Sequence, residues 1–368
     1  MSAPRAKRSR SARRRDRRAV RIGLLALLAC ALLPACGSVS ATGSPAQLYW
    51  GAWIGGQLTG TEASWDMAAV TRFEKMTGRK ASVIHFAAPF ASCPTASGTC
   101  NFYGFPVSQM NRIRGRGAIP FFSWSSQSIP STVDEPNFRL ASVIHGTYDP
   151  YIRKWASAAK RWGHPFFLRF NWEMNGDWFP WAEGVNGNRP GEYVAAWRHV
   201  HDIFTAVGAT NVSWVWCPYV DLGNRLRNLT SLYPGDSYVD WTGLDGYNWG
   251  TNPAQPEGWT TFDQLFSSTY HRIVDRVAPS KPMIIGEVGS SEYGGSKATW
   301  IEEMLSELPN RYPKIRGVLW FEKYDDGMDW PIETSMSATR AFAAGIANPA
   351  YAEANFGSLG RAVIQPPN

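Results

Sequence analysis

The chain has 368 residues and a formal charge of +7, but residues 1–21 hold ten of its 37 Lys and Arg and only one of its 30 Asp and Glu. The remainder balances 27 basic against 29 acidic residues, so it offers no basic surface for nucleic acid. A composition 44% hydrophobic and 18% charged excludes a disordered chain, and no apolar run reaches the roughly 18 residues of a membrane-spanning helix. Eighteen Trp is an unusual load, and large flat rings suit a surface that stacks on sugar rings.

In chain order, the first element is an address. An Arg-rich stretch (5–21) precedes the apolar IGLLALLACALL (22–33), the pattern of a bacterial export signal. Leu33-Pro34-Ala35-Cys36 follows in the manner of a lipobox, which predicts a signal of lipoprotein type over 1–36 with Cys36 lipidated. Cleavage near Val39-Ser40-Ala41, discarding Cys36, is the alternative. Residues 37–46 (GSVSATGSPA) form a linker, and the expected product is secreted or held on a bacterial cell surface by its lipid alone.

Cys93 and Cys100 lie in ASCPTASGTC, a short loop of small residues, and in an exported chain they are placed for a local disulfide. Zinc is the competitor, but no second Cys or His pair lies nearby to complete four ligands. Cys217 is left as a free, buried thiol.

From residue 47 one unit repeats: a short apolar run, polar or aromatic residues at its end, then an amphipathic stretch. The runs are LYWGAWIGG (48–56), ASVIHFA (81–87), AIPFFSW (118–124), PFFLRFNWE (165–173), VSWVWCPY (212–219), VDWTGLDGY (239–247), PMIIGEVG (282–289) and GVLWFEKY (317–324). Helical periodicity follows at 149–163, 191–208, 261–278 and 296–310. Eight strands alternating with helices predict parallel strands joined by right-handed crossovers. That is an α/β fold, a (β/α)8 TIM barrel over 47–347, with 348–368 as a C-terminal tail. An open doubly wound sheet is the alternative, but no GxGxxG or GxxxxGK[ST] accompanies it.

Barrel chemistry sits at the C-terminal ends of the strands. The fourth run ends in Asn171-Trp172-Glu173-Met174-Asn175-Gly176 and the seventh in Gly286-Glu287-Val288-Gly289. Two carboxyls across a barrel mouth suit glycosidic cleavage, one to protonate the leaving oxygen and one to meet the oxocarbenium-like carbon. For that work Glu173 must be protonated near neutral pH, through partial burial and the nearby charge of Glu287, while Glu287 stays ionised.

These stretches resemble glycoside hydrolase family 26, of the retaining clan that carries its acid/base and nucleophile on strands four and seven. The matching segments are RFNWEMNGDWFPW (169–181), HGTYDPYIRKWA (145–156), VDWTGLDGYNWG (239–250), PMIIGEVGS (282–290) and GVLWF (317–321), and the likeness runs from about residue 48 to 345. It implies Glu173 as acid/base and Glu287 as nucleophile, with Tyr247 hydrogen-bonding the nucleophile. It further implies Trp178 and Trp320 as the aromatic floor of the sugar site, and Arg169 beneath the two carboxylates. The family's substrates are mostly β-1,4-mannans, with some mixed-linkage β-glucans and β-1,3-xylans. One position departs: the family usually has His before the acid/base, and this chain has Trp172.

Trp124, Trp178, Trp181, Trp249 and Trp320 are candidates to stack on pyranose faces, and Trp172 is expected to narrow the cleft or add a stacking face. His199 and His201, two apart on a helix, point different ways and make no joint metal site. His85 ends the second run and could reach the mouth or sit in the core. Asp325, Asp326 and Asp329 form an acidic loop that could hold calcium or stay solvated. No GxSxG or HExxH is present, and no cofactor or metal is implied. Two functional classes remain. One is a monomeric retaining endo-glycosidase on a β-linked polysaccharide, β-1,4-mannan first, with mixed-linkage β-glucan or β-1,3-xylan as alternatives. The other is a non-catalytic glycan-binding protein, which the presence of both Glu disfavours.

Overall fold

The computed structural model describes residues 47–94, 99–221, 226–252, 258–360 and 362–368. The export signal, Cys36 and the linker lie outside them. Eight parallel strands form a closed barrel: β1 (Tyr49–Ile54), β2 (Val83–Ser92), β3 (Ile119–Ile129), β4 (Phe166–Phe170), β5 (Val212–Trp216), β6 (Trp241–Asn248), β7 (Met283–Ser290) and β8 (Ile315–Glu322). Each pairs with the next, and β8 returns to β1, which also pairs with β2. At Gly51 the β1 backbone runs so close to β2 that a Cβ would lie 1.8 Å from the Val83 carbonyl oxygen.

Around the barrel lie α1 (Met67–Thr77), α2 (Val107–Gly115), α3 (Leu140–Ile144), α4 (Asp149–Trp162), α5 (Glu192–Val207), α6 (Phe262–Arg272), α7 (Lys297–Arg311) and α8 (Met336–Ile346). Four of their starts carry a side-chain cap, Asp66 on α1 among them. Thr261 and Gln264 form a reciprocal capping box on α6, and Ser296 and Ser335 cap α7 and α8. The stripe Ile152, Trp155, Ala156 and Ala159 turns α4 onto the barrel, as its periodicity predicts. The alternation of strands and helices fails once. Between β5 and β6 the described residues hold no α-helix, only the short turn Leu229–Leu232.

Period-two alternation divides each strand between barrel interior and helix layer. Inside, Tyr49, Phe167 and Trp241 pack edge to face or tilted near the floor, at centroid distances of 5.3–6.2 Å. Of residues 348–368, expected as a tail, the stretch 362–368 is built into this floor. Tyr49 donates to the Gln365 carbonyl (2.7 Å), Trp241 to the Ile364 carbonyl (2.8 Å), and the Ile364 amide to Ser213 (2.8 Å). At the opposite end, Cys93 and Cys100 are joined in a disulfide beside the pairing of β2 with the short strand Asn101–Phe102.

Candidate active site

β4 ends at Phe170, and the backbone then turns through left-handed φ at both Asn171 (+45°) and Glu173 (+54°). Asn tolerates this region; Glu does so only under constraint. The constraint is visible. The Glu173 amide donates to the Cys217 carbonyl at 2.7 Å, and the Asn171 side-chain oxygen accepts from the Ser126 amide at 2.9 Å. The turn aims the Glu173 carboxyl into the mouth.

Glu287 arrives differently. The pairing of β7 slips against both neighbours around Gly286, the signature of a bulge, which re-aims the following side chain. Only glycine fits there. A Cβ at 286 would lie 2.7 Å from an Asp245 carboxylate oxygen and 3.0 Å from the Arg169 guanidinium.

Arg169 is fully buried beneath the mouth. One terminal nitrogen meets Asp245 at 2.5 Å, the other donates to Oε1 of Glu287, and Nε donates to Ser123 at 2.7 Å. The same second nitrogen lies 3.3 Å from Nε2 of His85. Arginine can only donate, so that His85 nitrogen accepts. Tyr247 donates its hydroxyl to Oε2 of Glu287, so donors hold both oxygens of that carboxylate. Trp178 donates its indole N–H to Oε2 of Glu173 at 2.6 Å. One carboxylate oxygen from each of Glu173, Asp245 and Glu287 lies within 4.8 Å of the others.

Three carboxyls around one guanidinium leave an excess of negative charge, and the protonation pattern follows. Burial pushes Glu173 well above the ordinary carboxyl range, and the charges of Asp245 and Glu287 add to it. The Trp178 hydrogen bond and Arg169 oppose the rise without cancelling it. Burial also raises Asp245, against the pull of Arg169. Burial disfavours the charge on Arg169, but Asp245 and Glu287 outweigh it and hold the guanidinium protonated. Burial and the adjacent Arg169 keep His85 neutral. The site therefore holds a protonatable carboxyl beside a carboxylate clamped by two donors, the pairing that acid/base and nucleophile chemistry uses.

The expected stacking residues divide. Trp178, 38% exposed, stands in the mouth, and Trp249 is half-buried there with its indole N–H on the Tyr219 hydroxyl at 3.2 Å. Trp172 is only 8% exposed; its ring covers the Arg169 guanidinium at 4.8 Å and packs against the stacked pair Phe179 and Trp181. Three others do not reach the cleft. Trp124 stacks on Trp155 of α4 at 4.5 Å, Trp320 packs on Phe342 of α8 at 5.7 Å, and Trp181 is buried with its N–H on the Trp172 carbonyl. Trp124 and Trp320 are one residue out of phase: their strands turn them to the helix layer. Phe321 takes the inward place on β8, edge-on to Tyr247 at 5.5 Å and to Trp53 at 5.4 Å. The same alternation could have pointed to Asp245, which shares the inner face of β6 with Tyr247. Trp330, delivered by a loop, carried no such signal.

The remaining candidates lie apart. His199 pairs with Asp149 at 2.7 Å, His201 packs on Tyr238 at 4.9 Å, and Asp325 and Asp329 meet Lys323 (3.4 Å) and Lys297 (3.7 Å). Cys217 is a free, buried thiol that donates to Asp245 at 3.1 Å.

The glycosyl hydrolase family 26 model matches residues 120–300, which contain β3 to β7 and both glutamates. Endoglucanase H of Acetivibrio thermocellus is 34% identical over 306 residues, 81% of this chain and 31% of that protein. A mannan endo-1,4-beta-mannosidase of Bacillus subtilis is 33% identical over 199 residues, 53% of this chain and 47% of that protein. The chain thus spans less than half the length of these relatives. Among solved structures, a Cellulomonas fimi endo-beta-1,4-mannanase double mutant superposes with a TM-score of 0.63 at 19% identity, covering 87% of this chain and 76% of that one. The barrel, the glutamates on β4 and β7 and these matches lead to one assignment: the chain belongs to glycosyl hydrolase family 26.

Proposed function

We propose that this protein is a retaining endo-glycosidase acting on a β-linked polysaccharide. One observation carries the reading: carboxylate oxygens of Glu173 and Glu287 lie within 4.8 Å of each other, above a buried arginine that pairs with Glu287. Retention uses carboxyl groups roughly 5–5.5 Å apart, whereas inversion needs roughly 6.5–9.5 Å to admit a water. In the first step Glu173 gives its proton to the glycosidic oxygen as Glu287 attacks the anomeric carbon, and the C–O bond breaks. In the second, Glu173 takes a proton from water, whose oxygen displaces Glu287 and frees the sugar. Arg169 and Tyr247 hold the two Glu287 oxygens, and Trp178 offers a face to a sugar ring beside the acid.

β-1,4-Mannan is the leading substrate, supported by relatives named as mannanases. A β-glucan is the second reading. The 34% identity to a protein named an endoglucanase, over most of this chain, favours it, as does Trp172 in place of the family's His. Reducing-sugar release from mannan, glucomannan, lichenan, barley β-glucan and xylan, with Glu287→Ala as blank, tests the activity and ranks the substrates. Silence on all five would end the enzyme reading and favour the glycan binder. The Arg-rich and apolar stretches of residues 5–33 support export, and Leu33-Pro34-Ala35-Cys36 supports a lipid on Cys36. If Cys36→Ala leaves the protein in the membrane fraction, the lipid is not the anchor.

A further inference from the structure

Lys297 opens α7 with its side chain fully buried. Two costs attach to that position: burial disfavours the charge, and the positive end of the helix macrodipole repels it. The carboxylates of Glu292 and Glu322 favour its charge from nearby, but among the described residues the hydrogen-bond acceptors of its ammonium lie on one segment. The ammonium donates to the carbonyls of Asp329 and Pro331 (3.2 Å for the latter) and to the Thr334 hydroxyl at 2.7 Å, with the Asp329 carboxylate 3.7 Å away. The α7 N-terminus does not need this lysine, because Ser296 already caps it through the Thr299 amide at 3.1 Å.

The gripped segment follows β8 and carries Trp330 into the mouth. Trp330 is 1% exposed, and its ring lies 4.9 Å from Tyr247 and 4.9 Å from Trp249. Its carbonyl accepts the Trp320 indole N–H at 3.1 Å, and Gly289 leaves its ring room, since a Cβ there would sit 3.1 Å from it. Tyr247 in turn holds Glu287. We propose that Lys297 is a positioning residue for the nucleophile: it clasps residues 329–334 so that Trp330 props Tyr247 against Glu287. The proposal rests on Glu287 acting as nucleophile.

The test is steady-state kinetics of Lys297→Met, Lys297→Arg and Trp330→Leu, with Tm recorded for each. Two substrates are used: the preferred polymer, and an aryl β-glycoside with a dinitrophenolate leaving group. That leaving group departs without protonation, so its release follows the nucleophile rather than the acid. Lys297→Met is expected to lower kcat about tenfold or more on both substrates with little change in KM, the mark of an interaction made in the transition state. Lys297→Arg should recover part of the loss. Trp330→Leu should match Lys297→Met, and the double variant should be no worse than either single one, as for residues acting through one path. Unchanged kcat in folded Lys297→Met would overturn the proposal, and so would losses that multiply in the double variant. If Lys297→Met does not fold, Lys297→Arg and Trp330→Leu give the same comparison. Failure of the reading of Glu287 as nucleophile would show separately, as wild-type activity that survives Glu287→Ala.

Discussion

The indole N–H of Trp178 donates to Oε2 of Glu173 at 2.6 Å from a ring that is 38% exposed. One side chain thus touches both the proposed acid and the space a sugar would fill. The bond favours the ionised form of Glu173, against burial and two neighbouring carboxyls. Trp178→Phe keeps a ring and removes the donor. Glu173 should then hold its proton to higher pH, so the alkaline limb of kcat/KM should move up. A limb that stays in place, or moves down, contradicts this account of the acid.

Asp245→Asn should act in the opposite direction. Asp245 is the first charge after burial to raise Glu173, so its neutral isostere should move the alkaline limb down. The same change strips Arg169 of a buried partner at 2.5 Å, and kcat/KM should fall by about a hundredfold or more. The two limbs moving the same way would show that Asp245 and Trp178 do not bias one carboxyl.

The barrel was legible because eight apolar runs repeat at barrel spacing, and Glu173, Glu287, Arg169 and Tyr247 were legible because strand ends carry barrel chemistry. What was lost turned on phase and on distance. An apolar run fully buried on both faces does not announce which alternate residue points inward, so Trp320 was expected where Phe321 stands, and Trp124 where Ser123 does. Lys297 reaches the carbonyls of Asp329 and Pro331, on either side of Trp330, through loop geometry that no local periodicity encodes. Between β5 and β6, where the repeat predicts a helix, the described residues hold no α-helix.

That difference of phase is open to mutation. Trp320→Ala removes a ring packed against α7 and α8 and the donor to the Trp330 carbonyl, and should cost about 3–5 kcal/mol of stability with a smaller loss of kcat/KM in the folded fraction than Phe321→Ala causes. Phe321→Ala should lower kcat/KM more, because its ring faces Tyr247 directly. Urea unfolding beside kinetics separates the two, and an activity loss confined to Trp320→Ala would return Trp320 to the sugar site.

Glu322 predicts how stability varies with pH. It is fully buried, and burial followed by Glu333 raises its pKa well above the ordinary value. A carboxyl raised in the folded state lends stability that is complete below its unfolded pKa of about 4.3, and that stability is lost as pH climbs toward the folded value. Glu322→Gln cannot titrate. The variant's urea midpoint should therefore gain on the wild type as pH climbs above about 5, and the gain should level off once the folded carboxyl has ionised. Parallel curves would mean that Glu322 is not the group responsible.

The central claim is that Glu173 and Glu287 cleave with retention, and the most direct measurement is proton NMR of the anomeric signals during the first minutes of hydrolysis. A β-linked oligosaccharide of the preferred polymer is the substrate. The new reducing end should appear first as the β-anomer and relax to the α/β mixture only by mutarotation. An α-anomer formed first would contradict it.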